Sequence, residues 1–152
     1  MIILAELNDA KALTNIALKS KAFWGYSDDL IESWREDLTI TPQMFREWNV
    51  YKYVVDHKII GFYILNRANI RTSFIEFLFV APNFINKGIG KQLMQHAIKY
   101  CTEGSCAIIN VLSDPNAAAF YEKCGFKVIA ERESSILGRY LPEMEFEIIS
   151  NT

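Results

Sequence analysis

The stretch VAPNFINKGIGKQLM, residues 80–94, decides how the rest of this 152-residue chain is read. Before it, Thr72 to Val80 is apolar, β-branched and aromatic, and reads as a strand ended by Ala81-Pro82. After it, Leu93, Ala97 and Cys101 recur every four residues, with Ile89 a turn earlier, which predicts a long helix from Gly88. Two glycines one residue apart open that helix. Such a turn lets backbone N–H groups approach an anion closely. A helix start also carries four unpaired donors and about half a positive charge. Lys87 and Lys91 flank the turn. The plainer reading, a strand-to-helix turn that needs glycine for positive φ, is equally open on the glycines alone. Two familiar phosphate motifs fail. A dinucleotide fingerprint needs glycine where Leu93 stands, and a P-loop needs glycine at Ile85 and a hydroxyl at Gln92.

Working outward, Ile2 to Leu7 suits a short strand, with Asn8 or Asp9 as cap of a helix to about Lys21. A second helix is predicted from Ser27 to Asp37, and a short third one from Thr41-Pro42 to about Trp48. Val50 to Val55 and Ile59 to Leu65 read as a hairpin around Asp56-His57-Lys58. Downstream, Ala107 to Leu112 is a strand, and Ser113-Asp114-Pro115 caps a helix to Lys123 that Gly125 stops. Phe126 to Ala130 and Met144 to Ile149 complete the strands. Runs of strands mixed with helical crossovers indicate an α+β or mixed α/β sheet in one domain, residues 1–152, with no linker or repeat.

Composition narrows the function classes. Disorder is excluded by 51% apolar residues and by 10 Phe, 7 Tyr and 3 Trp. Sixteen basic residues against 18 acidic ones leave a net charge of −2, without the basic footprint of a nucleic-acid binder. No apolar run reaches the roughly 18 residues of a membrane span. Cys101, Cys106 and Cys124 form no C-x-x-C pair and read as buried, reduced thiols of a cytoplasmic protein. No export signal is visible at the N-terminus. His57 and His96 are expected to face solvent, and no metal-ligand cluster is apparent.

A second stretch, DPNAAAFYEKCGF at residues 114–126, joins the first. Together they make the chain resemble the GCN5-related (GNAT) N-acetyltransferase superfamily. Its pyrophosphate motif, Arg/Gln-x-x-Gly-x-Gly/Ala, follows a strand ending in Leu-x-Val-x-Pro. Here the strand ends Leu78-Phe79-Val80-Ala81-Pro82 and the glycines are Gly88 and Gly90, while Ile85 fills the Arg/Gln slot. Asn116, Ala119, Tyr121, Gly125 and Phe126 match the second motif. The two cover about residues 74–130.

The resemblance implies a mixed, mostly antiparallel central sheet with flanking helices. Its two central parallel strands splay apart, usually at a bulge in the strand ending at Val80. It implies acetyl-CoA as cofactor, with pantetheine lying like an added strand along Leu78, Phe79 and Val80. The diphosphate would meet the amides of Ile85, Asn86, Lys87, Gly88, Ile89, Gly90 and Lys91, and Asn116 and Ala119 would hold the cofactor arm. The reaction would be direct acetyl transfer to an amine of a small molecule or peptide. Tyr121 is the candidate acid for the leaving thiolate; its alternative is a packed aromatic beside Ala117 and Cys124. Glu76, alone in the apolar strand FIEFLFV, shares a face with Leu78 and Val80 and is the candidate base, or else a salt-bridged rim carboxylate. Trp24 and Tyr26 at the first helix junction, and Arg139 on a late loop, are candidate acceptor contacts; core aromatics and a solvated arginine serve equally well. Cys124 reads as core rather than nucleophile. A non-catalytic acyl-CoA sensor or interaction module is the alternative function, suggested by Ile85. With carboxylates scattered through the chain, polyamines are not specially favoured. Dimerisation is common among relatives, but nothing in the sequence specifies it.

Overall fold

The protein is seen in a computed structural model, described here for residues 1–148. The strands are β1 (Ile2–Leu4), β2 (Asn49–Val55), β3 (Lys58–Asn66), β4 (Thr72–Val80), β5 (Ile108–Leu112), β6 (Lys127–Glu133) and β7 (Tyr140–Glu147). The helices are α1 (Ala10–Phe23), α2 (Asp28–Ser33), α3 (Arg35–Leu38), α4 (Pro42–Glu47), α5 (Ile89–Glu103) and α6 (Ala118–Lys123). Short 3₁₀ turns lie at Leu7–Asp9, Pro82–Phe84 and Pro115–Ala117. The strand order is β1-β2-β3-β4-β5-β7-β6. Within it β4 and β5 run parallel, while β1–β2, β2–β3, β5–β7 and β6–β7 are antiparallel. The mixed, mostly antiparallel sheet with flanking helices is the architecture expected from sequence.

The chain forms two compact units, Met1–Leu65 with Phe77–Leu93, and Asn66–Glu76 with the chain from Met94 on. In the first, Leu13, Ile16 and Ala17 of α1 and Ile60, Phe62 and Ile64 of β3 are buried with Phe77, Ile89 and Leu93. The β2–β3 hairpin closes through Asp56 (φ 49°) and His57 (φ 63°), the two left-handed positions of a type I′ turn. Gly61 on β3 meets the start of α5. A Cβ there would stand 3.1 Å from the Phe79 carbonyl oxygen, 3.2 Å from Leu93 and 3.4 Å from Ile89. Glycine at this position lets helix and strand approach. In the second unit Ser73, Ile75, Met94, Ala97, Cys101, Cys106, Ile109, Val111, Phe126 and Met144 are buried.

The β4–β5 ladder runs only from Thr72↔Ile108 to Ile75↔Val111, without a bulge. Glu76 and Leu112 follow on their strands, yet they do not pair.

Several boundaries differ from the sequence reading, each for a local reason. β1 stops at Leu4 rather than Leu7, because the Asp9 carboxylate accepts the Glu6 amide at 2.8 Å and winds the chain into a 3₁₀ turn. The helix predicted over Ser27–Asp37 is broken at Trp34. The Ser33 hydroxyl donates to the Leu30 carbonyl at 2.5 Å, and the Trp34 amide is shared between Leu30 and Ile31 carbonyls. Such back-bonding bends helices. Here it sets the buried Trp34 ring edge-on to Tyr26, with centroids 4.9 Å apart. α5 begins at Ile89, one residue after Gly88. β6 reaches Glu133 and β7 starts at Tyr140. Both are longer than predicted because charged letters such as Arg132 and Glu143 pair across the ladder, at 2.8 Å, instead of forming loop. Ile149, the expected end of the last strand, lies outside the described residues.

Candidate functional site

In the first unit, β4 delivers Leu78, Phe79 and Val80 to a turn that the chain leaves bare. The Ala81 amide donates to the Ile60 carbonyl at 2.8 Å, which fixes the strand's exit. Pro82–Phe84 makes one 3₁₀ turn, and Ile85 continues extended, half-buried. Asn86 (φ 65°) and Gly88 (φ 81°) then take left-handed conformations. A Cβ on Gly88 would meet nothing within 4 Å. The glycine is therefore required by its φ and not by crowding, and the space before it is open. The first bond of the helix is the Gln92 amide to the Gly88 carbonyl, at 3.1 Å. The amides of Gly88, Ile89, Gly90 and Lys91 precede that bond, so they carry the orphan donors and positive dipole end of a 15-residue helix. Lys87 and Lys91 are both exposed, and the Lys87 ammonium lies 5.4 Å from the centre of the Phe84 ring. The arrangement suits an anionic group held by main chain.

Trp24 and Tyr26 also belong to this unit. Trp24 is 42% exposed and touches Phe23 edge-on, while Tyr26 is half-buried against Trp34. Lys21 places its ammonium 5.1 Å from the Trp34 ring centre and 5.8 Å from that of Tyr26.

In the second unit, Glu76 is exposed, not buried, on the less buried face of β4, and its carboxylate accepts a hydrogen bond from the Asn66 side-chain carboxamide at 3.1 Å. The loop after β5 is built from side chains. Asp114 accepts the Asn116 amide at 2.8 Å and receives the Arg139 guanidinium at 3.4 Å. This pair is largely buried, the side chains being 9% and 20% exposed. Arg139 is itself held by a closed turn, its amide on the Ile136 carbonyl and its carbonyl on the Ser134 amide. It is thus not a solvated cation but is ion-paired to Asp114 across the loop. It braces the loop that carries Asn116 and Ala119, both of which are exposed.

Tyr121 follows on α6 and is buried, edge-on to Phe120 and Phe126 with centroids 5.1 and 5.5 Å away. Burial, with Cys124 and Asp114 as lesser neighbours, raises its pKa above the ordinary 10. The phenol therefore stays protonated at neutral pH, as a proton donor must. Tyr121 is thus packed as an aromatic, and burial holds its phenol in the protonated form. His96 is half-buried, unlike the expectation, and its pKa is lowered by burial and then by Lys99. Burial pushes the Cys101 thiol up to about 12, which makes it a poor nucleophile.

Sequence reasoning missed three residues. Gly61 was hidden in a strand, Asp114 was seen only as a cap, and Asn66 sat at a strand end with no signal.

Comparison with known proteins identifies a family. The family model described as "Acetyltransferase (GNAT) family" matches residues 13–126. A peptidyl-lysine N-acetyltransferase, YjaB, of Salmonella typhimurium is 32% identical over 83 residues, 55% of this chain. The chain spans only about half of that relative, 52% of its length. The PaiA N-acetyltransferase of Thermoplasma acidophilum, solved with coenzyme A, superposes with a TM-score of 0.80 at 23% identity, covering 97% of this chain and 98% of that one. The ribosomal-protein-S18-alanine N-acetyltransferase of Escherichia coli superposes with a TM-score of 0.74 at 19% identity, covering 100% and 96%.

Proposed function

This chain belongs to the acetyltransferase (GNAT) family, and on that premise we propose that it transfers an acetyl group from acetyl-CoA to a primary amine. The observation that carries the reading is the turn at Gly88, open around that glycine, where four helix-start amides precede the first bond of α5. The residues present fit the cofactor. In this reading the amides from Ile85 to Lys91 hold the diphosphate, Lys87 and Lys91 add charge, and the main chain of Leu78, Phe79 and Val80 receives the pantetheine arm. Asn116 and Ala119 steady that arm from the loop that Arg139 and Asp114 brace.

Acetyl-CoA supplies an acetyl group activated as a thioester: an N–C bond forms, the C–S bond breaks, and coenzyme A leaves as the thiol. The chain's own residues handle the protons and the charge. An alkyl amine has a pKa of about 10.4 and is mostly protonated at neutral pH, so it must lose a proton before it attacks. Glu76, exposed and oriented by Asn66, takes that proton directly or through water. Tyr121 holds its phenolic proton, gives it to the departing sulfur, and regains the proton that the acylated nitrogen sheds. The Val80 amide stabilises negative charge on the acetyl oxygen. Trp24 and Tyr26 offer aromatic surface to the acceptor.

Calorimetric titration with acetyl-CoA, followed by thiol release with a panel of primary amines, tests the reading. Binding and amine-dependent thiol release are expected; absence of binding at millimolar concentration contradicts it. Ile85 favours a second reading, because the anion turn lacks the arginine or glutamine side chain. A sensor of acyl-CoA would bind and release no thiol with any amine.

A further inference from the structure

Strand alternation writes an acidic stripe into the second unit that the linear sequence conceals. Residues opposite one another in a ladder share a face of the sheet. On β7, Glu143, Glu145 and Glu147 stand opposite Leu112, Asn110 and Ile108 of β5. On the other side of β5, Asn110 and Ile108 stand opposite Phe74 and Thr72 of β4. Glu76 follows Phe74 by two residues and shares that face. Four carboxylates thus surround an apolar floor of Phe74, Ile108 and Leu112, of which Leu112 is 51% exposed. Of the cations on the face, Arg132 is engaged with Glu143 at 2.8 Å. Lys127 stands opposite Glu145 without an ion pair among the described residues.

The middle of this face holds an independent feature. Asn110 is 9% exposed. Its side chain makes no hydrogen bond to any described residue, although a carboxamide offers two donors and an acceptor. No fully buried polar side-chain atom among the described residues lacks a partner, so the Asn110 carboxamide reaches open surface rather than being sealed in. This nine-tenths-buried carboxamide, without a partner among the described residues, stands between Phe74 and Glu145 and can bond an incoming group.

We propose that this face receives the acceptor, and that the acceptor is an aliphatic polycation, ammonium groups joined by methylene chains. The inference rests on the acetyltransferase reading and names its substrate class. Ammonium groups meet Glu145 and Glu147, methylenes cover Leu112 and Ile108, and the Asn110 carbonyl accepts an N–H. Glu76, the proposed base, lies at one end of the stripe, one residue past the last β4–β5 pair. Glu143 to Glu147 spans about 13 Å along the strand, at roughly 3.3 Å per residue. That length suits an extended chain with more than one charge. A free polyamine and a lysine-rich peptide share this chemistry.

The test compares spermidine, a lysine-rich peptide and hexylamine as acceptors, by thiol release, in the wild-type chain and in Glu145→Gln, Glu147→Gln and Asn110→Ala. A lower KM is expected for spermidine or the peptide than for hexylamine, and whichever of the two is preferred identifies the source. Each glutamate change should raise that KM about fivefold, leaving the KM for acetyl-CoA and for hexylamine unchanged. Glu103→Gln, an exposed charge at the end of α5, should change none of them. Equal KM values for all three amines, or equal effects of the variants on hexylamine and spermidine, overturn the proposal. If acetyl-CoA does not bind, the acetyltransferase reading fails by itself. Calorimetry with spermidine alone then decides the face: heat lost in the double glutamine variant supports it, and no heat with the wild-type chain overturns it.

Discussion

The turn after β4 and the loop after β5 both offer polar groups at a strand end, but they are made of different material. The Gly88 turn is main chain. Its donors are amides, its conformation depends on two positive φ angles, at Asn86 and Gly88, and its side chains are exposed or half-buried. The Asp114 loop is side chain. A largely buried carboxylate gathers an amide and a guanidinium from 25 residues away and leads to a buried phenol. The difference teaches where each region is vulnerable. Side-chain identity matters little in the first and almost entirely in the second. It also explains how Ile85 can replace Arg or Gln without removing the anion site.

The strongest break falls in the loop region. Tyr121→Phe keeps the aromatic packing and deletes the proton donor, so kcat at neutral pH should fall at least about tenfold, with acetyl-CoA affinity unchanged. Steady-state kinetics beside calorimetry separates the two. An unchanged rate leaves Tyr121 as packing only.

Gly88→Ala is the matching break in the turn. An alanine held at φ +81° is strained by about 1–2 kcal/mol, so acetyl-CoA affinity should fall roughly five- to thirtyfold, or the melting temperature should drop instead. Lys87→Ala, at an exposed residue that takes no left-handed conformation, should do much less. If it matches Gly88→Ala, the turn binds through side chains and the comparison fails.

Smaller again is Arg139→Gln. It leaves a largely buried Asp114 carboxylate without its cation, which should cost about 1–2 kcal/mol in urea unfolding. Kinetically it should raise the KM for acetyl-CoA through Asn116 and leave an acceptor carboxylate unrecognised either way. A change in preference for acidic acceptors would place Arg139 back on the acceptor.

The pH effect is the smallest. Because the folded pKa of Tyr121 exceeds 10, the native chain keeps a proton that the unfolded chain loses above about pH 10. Stability from this group is therefore fully present below that pH and declines as pH rises toward the folded value. Unfolding at pH 9 and pH 11 should show the decline in the wild type and a shallower one in Tyr121→Phe.

Much of this was legible in the letters. β4 reads correctly from end to end because nine consecutive residues agree in period and propensity, and α5 because its apolar stripe recurs every four residues. The two motifs on these elements and on α6 located the candidate site. What stayed hidden depends on contacts distant in sequence. The Arg139–Asp114 pair and the Asn66–Glu76 bond join residues from different elements. The acidic face escaped because Glu76 and the β7 glutamates lie far apart in the chain and become one surface only through the β4–β5–β7 register. The break at Trp34 escaped because a serine hydroxyl, not a proline or glycine, bends the helix.

The central claim is that main-chain amides at the start of α5 hold the cofactor's diphosphate. Amide NMR during titration with coenzyme A reads those groups one by one. The account predicts that Gly88, Ile89, Gly90 and Lys91 show the largest shifts, saturating with the calorimetric affinity. Coenzyme A binding that leaves these four amides unmoved while other residues shift would contradict it.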